Sequence, residues 1–197
     1  MAHIGMKYPV AAPWTEGETY TKGFVVGKAI KFTGTPNKND VDLYADDGIA
    51  ETDKSVKDIG VSLNVDDLDL KVQADLLGHD HTEASAGGSG GTATPESVEV
   101  GSDDVAPYFG TGFYKRRRKN NVTSFTAIWL YKVQYSEPTE EAETKGESVN
   151  FQTPTIEGKA YPVEISGKTK LYKKAVFEKE EAAKAWLDGL AKVNATA

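Results

Sequence analysis

Cysteine is absent from the 197 residues, and histidine occurs only three times. Without thiols there is no disulfide staple, no thiolate metal site and no cysteine nucleophile, a composition that suits maturation in a reducing cytoplasm. Long apolar runs are missing as well. The opening "MAHIGMKYPVAAPW" has nothing the length of a signal peptide, and no later stretch approaches a membrane span, so neither export nor a membrane is expected. Without an export signal the sequons Asn121-Val122-Thr123 and Asn194-Ala195-Thr196 read as chance matches. Excess positive charge is also lacking: 23 lysines and arginines face 30 aspartates and glutamates, for a formal charge of −7. A global attraction to nucleic acid or to an anionic membrane is therefore not expected.

What is present reads mostly as strands within one domain, residues 1–197, long enough to bury a substantial core. Residues 22–33, "KGFVVGKAIKFT", carry β-formers between turn residues; 40–44, "DVDLY", alternate as a half-buried strand does; 56–65, "VKDIGVSLNV", make a third candidate. "GESVNFQTPTIEG", "KAYPVEI" and "KLYKKAVF" supply up to three more in the last third. Two helices interrupt them. Asp66 is positioned to cap "DLDLKVQADLL", with Leu68, Val72 and Leu76 every four residues and Gly78 at the stop. The second, about 178–192, has an acidic first turn and Ala182, Trp186 and Leu190 on one face, with Gly189 weakening its end. Each apolar stripe is expected to pack on a sheet. The glycine- and serine-rich stretch 79–104 is longer than a usual connection, and the polar stretch 136–146 separates two strands.

Residues 113–135, "FYKRRRKNNVTSFTAIWLYKVQY", set five consecutive cations before an apolar-rich run. They read as a hairpin with an Asn120-Asn121 turn, because asparagine tolerates the positive φ that tight hairpins need. Arg116 then pairs with Phe125 and Arg118 with Thr123, while Phe125, Ala127, Trp129, Tyr131, Val133 and Tyr135 share one face. Lys115, Arg117 and Lys119 fall on the opposite side. No register hides five cations, which extend roughly 16 Å, so this tip must stand in solvent or against another surface. Nucleic acid would need a broader basic patch with interleaved aromatics. A neighbouring copy offers acidic candidates instead: Asp46, Asp47, Asp66, Asp67, Glu140 and Glu141.

Motifs of catalysis find little support. Tyr44-Ala45-Asp46-Asp47 has the letters of a polymerase metal motif, yet turn chemistry explains it and no third carboxylate motif accompanies it. His79-Asp80-His81 lacks a third ligand, "AGGSGGT" lacks the lysine and setting of a phosphate loop, and no nucleophile elbow occurs. No catalytic residue, metal or cofactor is expected.

The blocks "IGMKYPVAAPW", "TPNKNDVDLYADDGIAETD", "VDDLDLKVQADLLGH", "AIWLYKVQYSEP", "TKGESVNFQTPTIEG" and "EAAKAWL" follow one another in an order that closely resembles the major tail proteins of long-tailed bacteriophages with non-contractile tails. The resemblance covers nearly the whole chain and departs chiefly at residues 82–97. It implies a mainly β fold, an antiparallel sandwich or barrel-like core with a flanking helix and a second short helix. It further implies hexameric rings stacked into a tail tube, located in the virion and assembled in the host cytoplasm. Partners would be other copies of the chain, the tape-measure protein, and tail-tip and terminator proteins, with phage DNA passing the lumen without specific binding. On this reading the N-terminal arm 1–14, with Tyr8, Pro9 and Trp14, and the loop 79–104 make contacts between rings. Lys115, Arg116, Arg117, Arg118 and Lys119 then face Asp46, Asp47, Glu140 and Glu141 of a neighbour. Alternatives are the inner tube of a contractile injection system or tail-like bacteriocin and, more remotely, a β-sandwich carbohydrate-binding module.

Overall fold

A computed structural model of the chain describes residues 2–86, 92–139 and 153–193. Among these the order begins with strand β1 (Ala2–Glu16), the short β2 (Thr19–Tyr20) and β3 (Phe24–Val25), then β4 (Ala29–Lys38), β5 (Val41–Ala45), β6 (Gly48–Asp53) and β7 (Val56–Val65). Helix α1 (Leu70–Leu77) follows, and β8 (Asp80–Thr82) and β9 (Ser97–Glu99) frame the glycine-rich loop. The long strands β10 (Tyr108–Lys119) and β11 (Val122–Tyr135) come next, and then β12 (Thr155–Ala160), β13 (Val163–Ile165), β14 (Lys168–Lys170), β15 (Tyr172–Phe177) and α2 (Glu180–Ala191). Over the described residues the chain is mainly β, with antiparallel sheets and two helices, as expected. The start of the expected strand at 146–158 and most of the polar stretch 136–146 lie outside the described residues.

β10 and β11 form the expected hairpin. Asn120 and Asn121 make its turn with φ of 49° and 60°, and Arg118 pairs with Thr123 and Arg116 with Phe125. Near the other end a bulge changes the outcome. Phe109 pairs with Val133 but Thr111 with Leu130, so β11 uses one residue more than β10. Side chains alternate with period two, and one extra residue moves everything beyond it to the opposite face. Val133 and Tyr135 therefore do not share a face with Phe125, Ala127, Trp129 and Tyr131, which corrects the single-face expectation. They join Leu130 in a different core cluster.

Away from its basic tip, both faces of this hairpin are covered. The nine-stranded sheet runs β2-β1-β10-β11-β12-β7-β4, with β15 on β11 and β3 on β1. It curls so that its β7–β4 end lies over β10 and β11: Phe32 of β4 meets Phe113 of β10 with ring centroids 4.4 Å apart. Ile59, Val61 and Leu63 of β7 share this inner core with Leu130, Val133 and the α1 residues Leu76 and Leu77. On the outer face α2 lays Ala183, Leu187 and Ala191 over Trp129, Tyr131, Val10 and Tyr20.

Five expectations need correction. From Ala2 on, the expected N-terminal arm 1–14 is not an arm, for β1 pairs along β10 from Ala2–Arg118 to Pro13–Phe109 and Val10, Ala11 and Ala12 are fully buried. The physical reason is that β10 would otherwise bury an unpaired edge. The two register shifts in this ladder coincide with Gly5 (φ 76°) and Tyr8 (φ 61°), whose left-handed backbones absorb the extra residues. Helix α1 begins at Leu70, after Asp69, and not under an Asp66 cap; Asp66 instead accepts the Lys28 backbone N–H at 2.8 Å. The buried stripe of α2 is Ala183, Leu187 and Ala191, with Ala182 exposed and Trp186 and Leu190 at its borders. Close approach selected the small residues, because Ala191 O accepts the Gly23 N–H at 2.8 Å. Lastly, 22–33 splits into β3 and the start of β4, and 40–44 is not half-buried: every residue of β5 is exposed.

Candidate interaction surface

The β4–β7 ladder does not end where the core ends. After Lys38 pairs with Val56, the Asn39 N–H donates to Ser55 O, and β5 and β6 carry the same hairpin on to a turn at Asp46 and Asp47. These two residues have φ of 49° and 60°, so "YADDG" is a turn, as the sequence predicts. From Asn37, opposite the buried Asp58, to Ala45 the projection reaches roughly 25 Å. All residues of β5 and β6 are exposed, among them Leu43 (58%) and Ile49 (58%). The register places Val41 and Leu43 on one face, and a bulge pairs Tyr44 with Ile49 on the other. A two-stranded ribbon with apolar residues on both faces gains little stability alone in water. Its charge is lopsided too, with Asp40, Asp42, Asp46, Asp47, Glu51 and Asp53 against Lys38 and Lys54. Asp53 is tied inward, held below the usual carboxylate range chiefly by the Ser55 backbone N–H.

Beside the root of this hairpin lies a groove of about 280 Å³ between β4 and β15. Among the described residues both strands are sheet edges, each paired on one side only. Phe32, Ile59, Phe113, Ile128 and Leu130 line it, with Lys115 and Lys174. Burial, and then the neighbouring Lys174, pulls the Lys115 ammonium below the usual lysine range.

The basic run lies where the sequence places it, on two faces of β10. Arg116 lines a smaller cavity with Phe125, Ile4 and Glu180, while Lys115 faces the β4–β15 groove. Among the described residues none of Lys115, Arg116, Arg117, Arg118 and Lys119 forms an ion pair. The Arg118 guanidinium donates to the Asn121 side chain at 3.3 Å.

The other sequence candidates sort differently. Tyr8 donates to Asp188 at 2.7 Å, Pro9 is buried, and Trp14 stacks edge-on with Tyr108 at 5.9 Å. Lys132 sits over both Trp14 and Tyr108, 4.2 and 4.0 Å from the ring centroids. These side chains are therefore engaged within the chain. Asp66 pairs with Lys28, and Asp67 caps the Leu68 N–H. Asp46 and Asp47 stand at the hairpin tip. Glu140 and Glu141 lie outside the described residues.

Sequence reasoning missed one constellation. His79, after the α1 stop, is clamped between Asp104 at 2.7 Å and Glu137 at 2.9 Å, and His81 meets Glu96 at 2.9 Å. These contacts tie the ends of the 79–104 excursion to the end of β11. The partners lie 25 and 58 residues from His79, so local spacing gives no sign of them. Each imidazole nitrogen of His79 is taken by a carboxylate, and among the described residues no group of three or more potential ligands could hold a metal. Nor, among the described residues, is any helix long and apolar enough to cross a membrane.

No protein-family model and no curated protein matches the chain.

Proposed function

We propose that this chain is a structural subunit that assembles with copies of itself into stacked rings, forming a phage tail tube. The observation that carries the reading is the β5–β6 hairpin, which projects roughly 25 Å and exposes Val41, Leu43, Tyr44 and Ile49 with no core of its own. Such a ribbon acquires a stable apolar environment from a neighbouring molecule. The exposed edges of β4 and β15 support the same conclusion, since sheet edges are the natural sites at which subunits join. The resemblance of the ordered sequence blocks to major tail proteins supplies the kind of assembly. A net charge of −7 per subunit suits a conduit, because a lumen that repels phosphates lets DNA pass without being held. The role is architectural and involves no bound cofactor.

Negative-stain electron microscopy of the concentrated protein, with and without a tail-tip initiator, tests the proposal. Hollow tubes or six-fold rings are expected from the parent chain, and their loss in a Leu43→Asp/Ile49→Asp variant that keeps its fold. A chain that stays monomeric with initiator present overturns the reading.

A further inference from the structure

The groove between β4 and β15 combines an apolar floor with two cations and, among the described residues, no carboxylate. Lys115 and Lys174 line it together, and the Lys174 charge adds to burial in disfavouring the Lys115 ammonium. On β15, Tyr172 and Val176 flank Lys174 on the same face, 44% and 59% exposed, and lengthen the apolar strip. A groove of this composition selects an apolar segment that brings its own carboxylates.

The chain carries such a segment. The β5–β6 hairpin presents Leu43 and Val41 on one face and Tyr44 and Ile49 on the other, with Asp46 and Asp47 at its turn. Every residue of its two strands is exposed within its own chain, so it does not fill its own groove. We propose that the hairpin of one copy docks in the β4–β15 groove of a second. Tyr44 and Ile49 cover the apolar floor from Phe32 to Leu130, and the carboxylates of Asp46 and Asp47 meet the ammonium groups of Lys115 and Lys174.

Donor and acceptor are different surfaces of one chain. The contact is therefore heterologous, and its repetition gives a ring or a helical filament, whereas a self-complementary patch gives a closed two-fold dimer. The inference rests on the self-assembly reading and specifies one of its joints.

The chain has no cysteine, which makes cross-linking unambiguous. A Tyr44→Cys protein is mixed with a Tyr172→Cys protein and oxidised, at concentrations above and below those that give assemblies. A disulfide joining the two variants, absent when either is oxidised alone, is the expected result. In a parallel arm Lys115→Glu/Lys174→Glu is expected to weaken association by roughly tenfold or more, and adding Asp46→Lys/Asp47→Lys to the same chain is expected to restore it. Should Lys115→Glu impair folding, Lys174→Glu alone serves, because that side chain is exposed.

Assemblies that form without the mixed disulfide and ignore the charge reversal overturn the docking site and leave the self-assembly reading standing. The mixed disulfide without rings or tubes upholds the docking and removes the tube. Neither assemblies nor cross-link overturns both.

Discussion

The Nδ1 of His79 lies 2.7 Å from the Asp104 carboxylate, joining the end of α1 to the far side of a loop of more than twenty residues. Glu137 holds the other nitrogen at 2.9 Å, and the His79 side chain is only 5% exposed. Burial alone lowers its proton affinity, but the Asp104 and Glu137 hydrogen bonds and charges outweigh burial and raise it above the ordinary 6.5. Asp104 is pulled below its ordinary 3.8, first by the Gly101 backbone N–H and then by His79.

The clamp therefore has a pH window. His79 contributes stability that is complete below pH 6.5 and is lost as pH rises through its higher folded value. Asp104 contributes stability present above 3.8 and lost as pH falls through its lower folded value. Between the two the loop is held most firmly. Proton-resonance titration should place His79 above 6.5, and amide exchange in 92–104 should quicken on the alkaline side. His79→Gln should remove that alkaline dependence. A His79 that titrates at or below 6.5 contradicts the clamp.

Gly112 of β10 is a place where no side chain fits. A Cβ there would meet the Trp129 ring, Leu187 Cδ2 at 2.7 Å and the Ile128 carbonyl at 3.0 Å. Ring and carbonyl are both fixed, so Gly112→Ala should cost about 1–3 kcal/mol by overpacking. Chemical denaturation should show a lower midpoint; an unchanged midpoint means that α2 can lift from the sheet at no cost.

Gly189 presents the opposite case. It lies inside α2 with nothing within 4 Å of a built Cβ, and it is exposed. Gly189→Ala should stabilise the protein by about 0.5–1 kcal/mol, since only helix propensity changes. The pair Leu187→Ala and Ala182→Ser then tests which face of α2 is inward. The first should cost about 2–5 kcal/mol, and the second about 0.5 kcal/mol at most. Equal losses would restore the stripe expected from the sequence.

The exposed hairpin should separate assembly from folding. Leu43→Asp/Ile49→Asp should shift the unfolding free energy by no more than about 0.5 kcal/mol, because neither side chain touches the core. A large loss of monomer stability would mean that the hairpin packs within its own chain.

Much of this architecture was legible in the residues. Positive φ at Asn120-Asn121 and Asp46-Asp47, the Gly78 stop and the β7 boundaries follow from local backbone preferences, which a few neighbouring residues determine. The position of the basic run on two faces followed from period-two alternation. The bulge in β11 was not legible, because the sequence alternates smoothly through Tyr131 and Val133 and only pairing with β10 inserts the extra residue. Residues 1–14 read as an arm for a similar reason: two prolines and two bulges disguise a strand that exists because β10 needs a partner.

Composition and local pattern by themselves determined the strand-rich class, the turns, the hairpins and the acidic balance, since each depends on short-range sterics or on a sum over residues. The tertiary structure alone decided which stripe of α2 turns inward, which side chains of β11 share a core, which carboxylates reach His79, and that Lys115 and Lys174 meet over an apolar floor. All of these depend on residues distant in the chain arriving together, and the free energy of that arrival is a property of the packed whole.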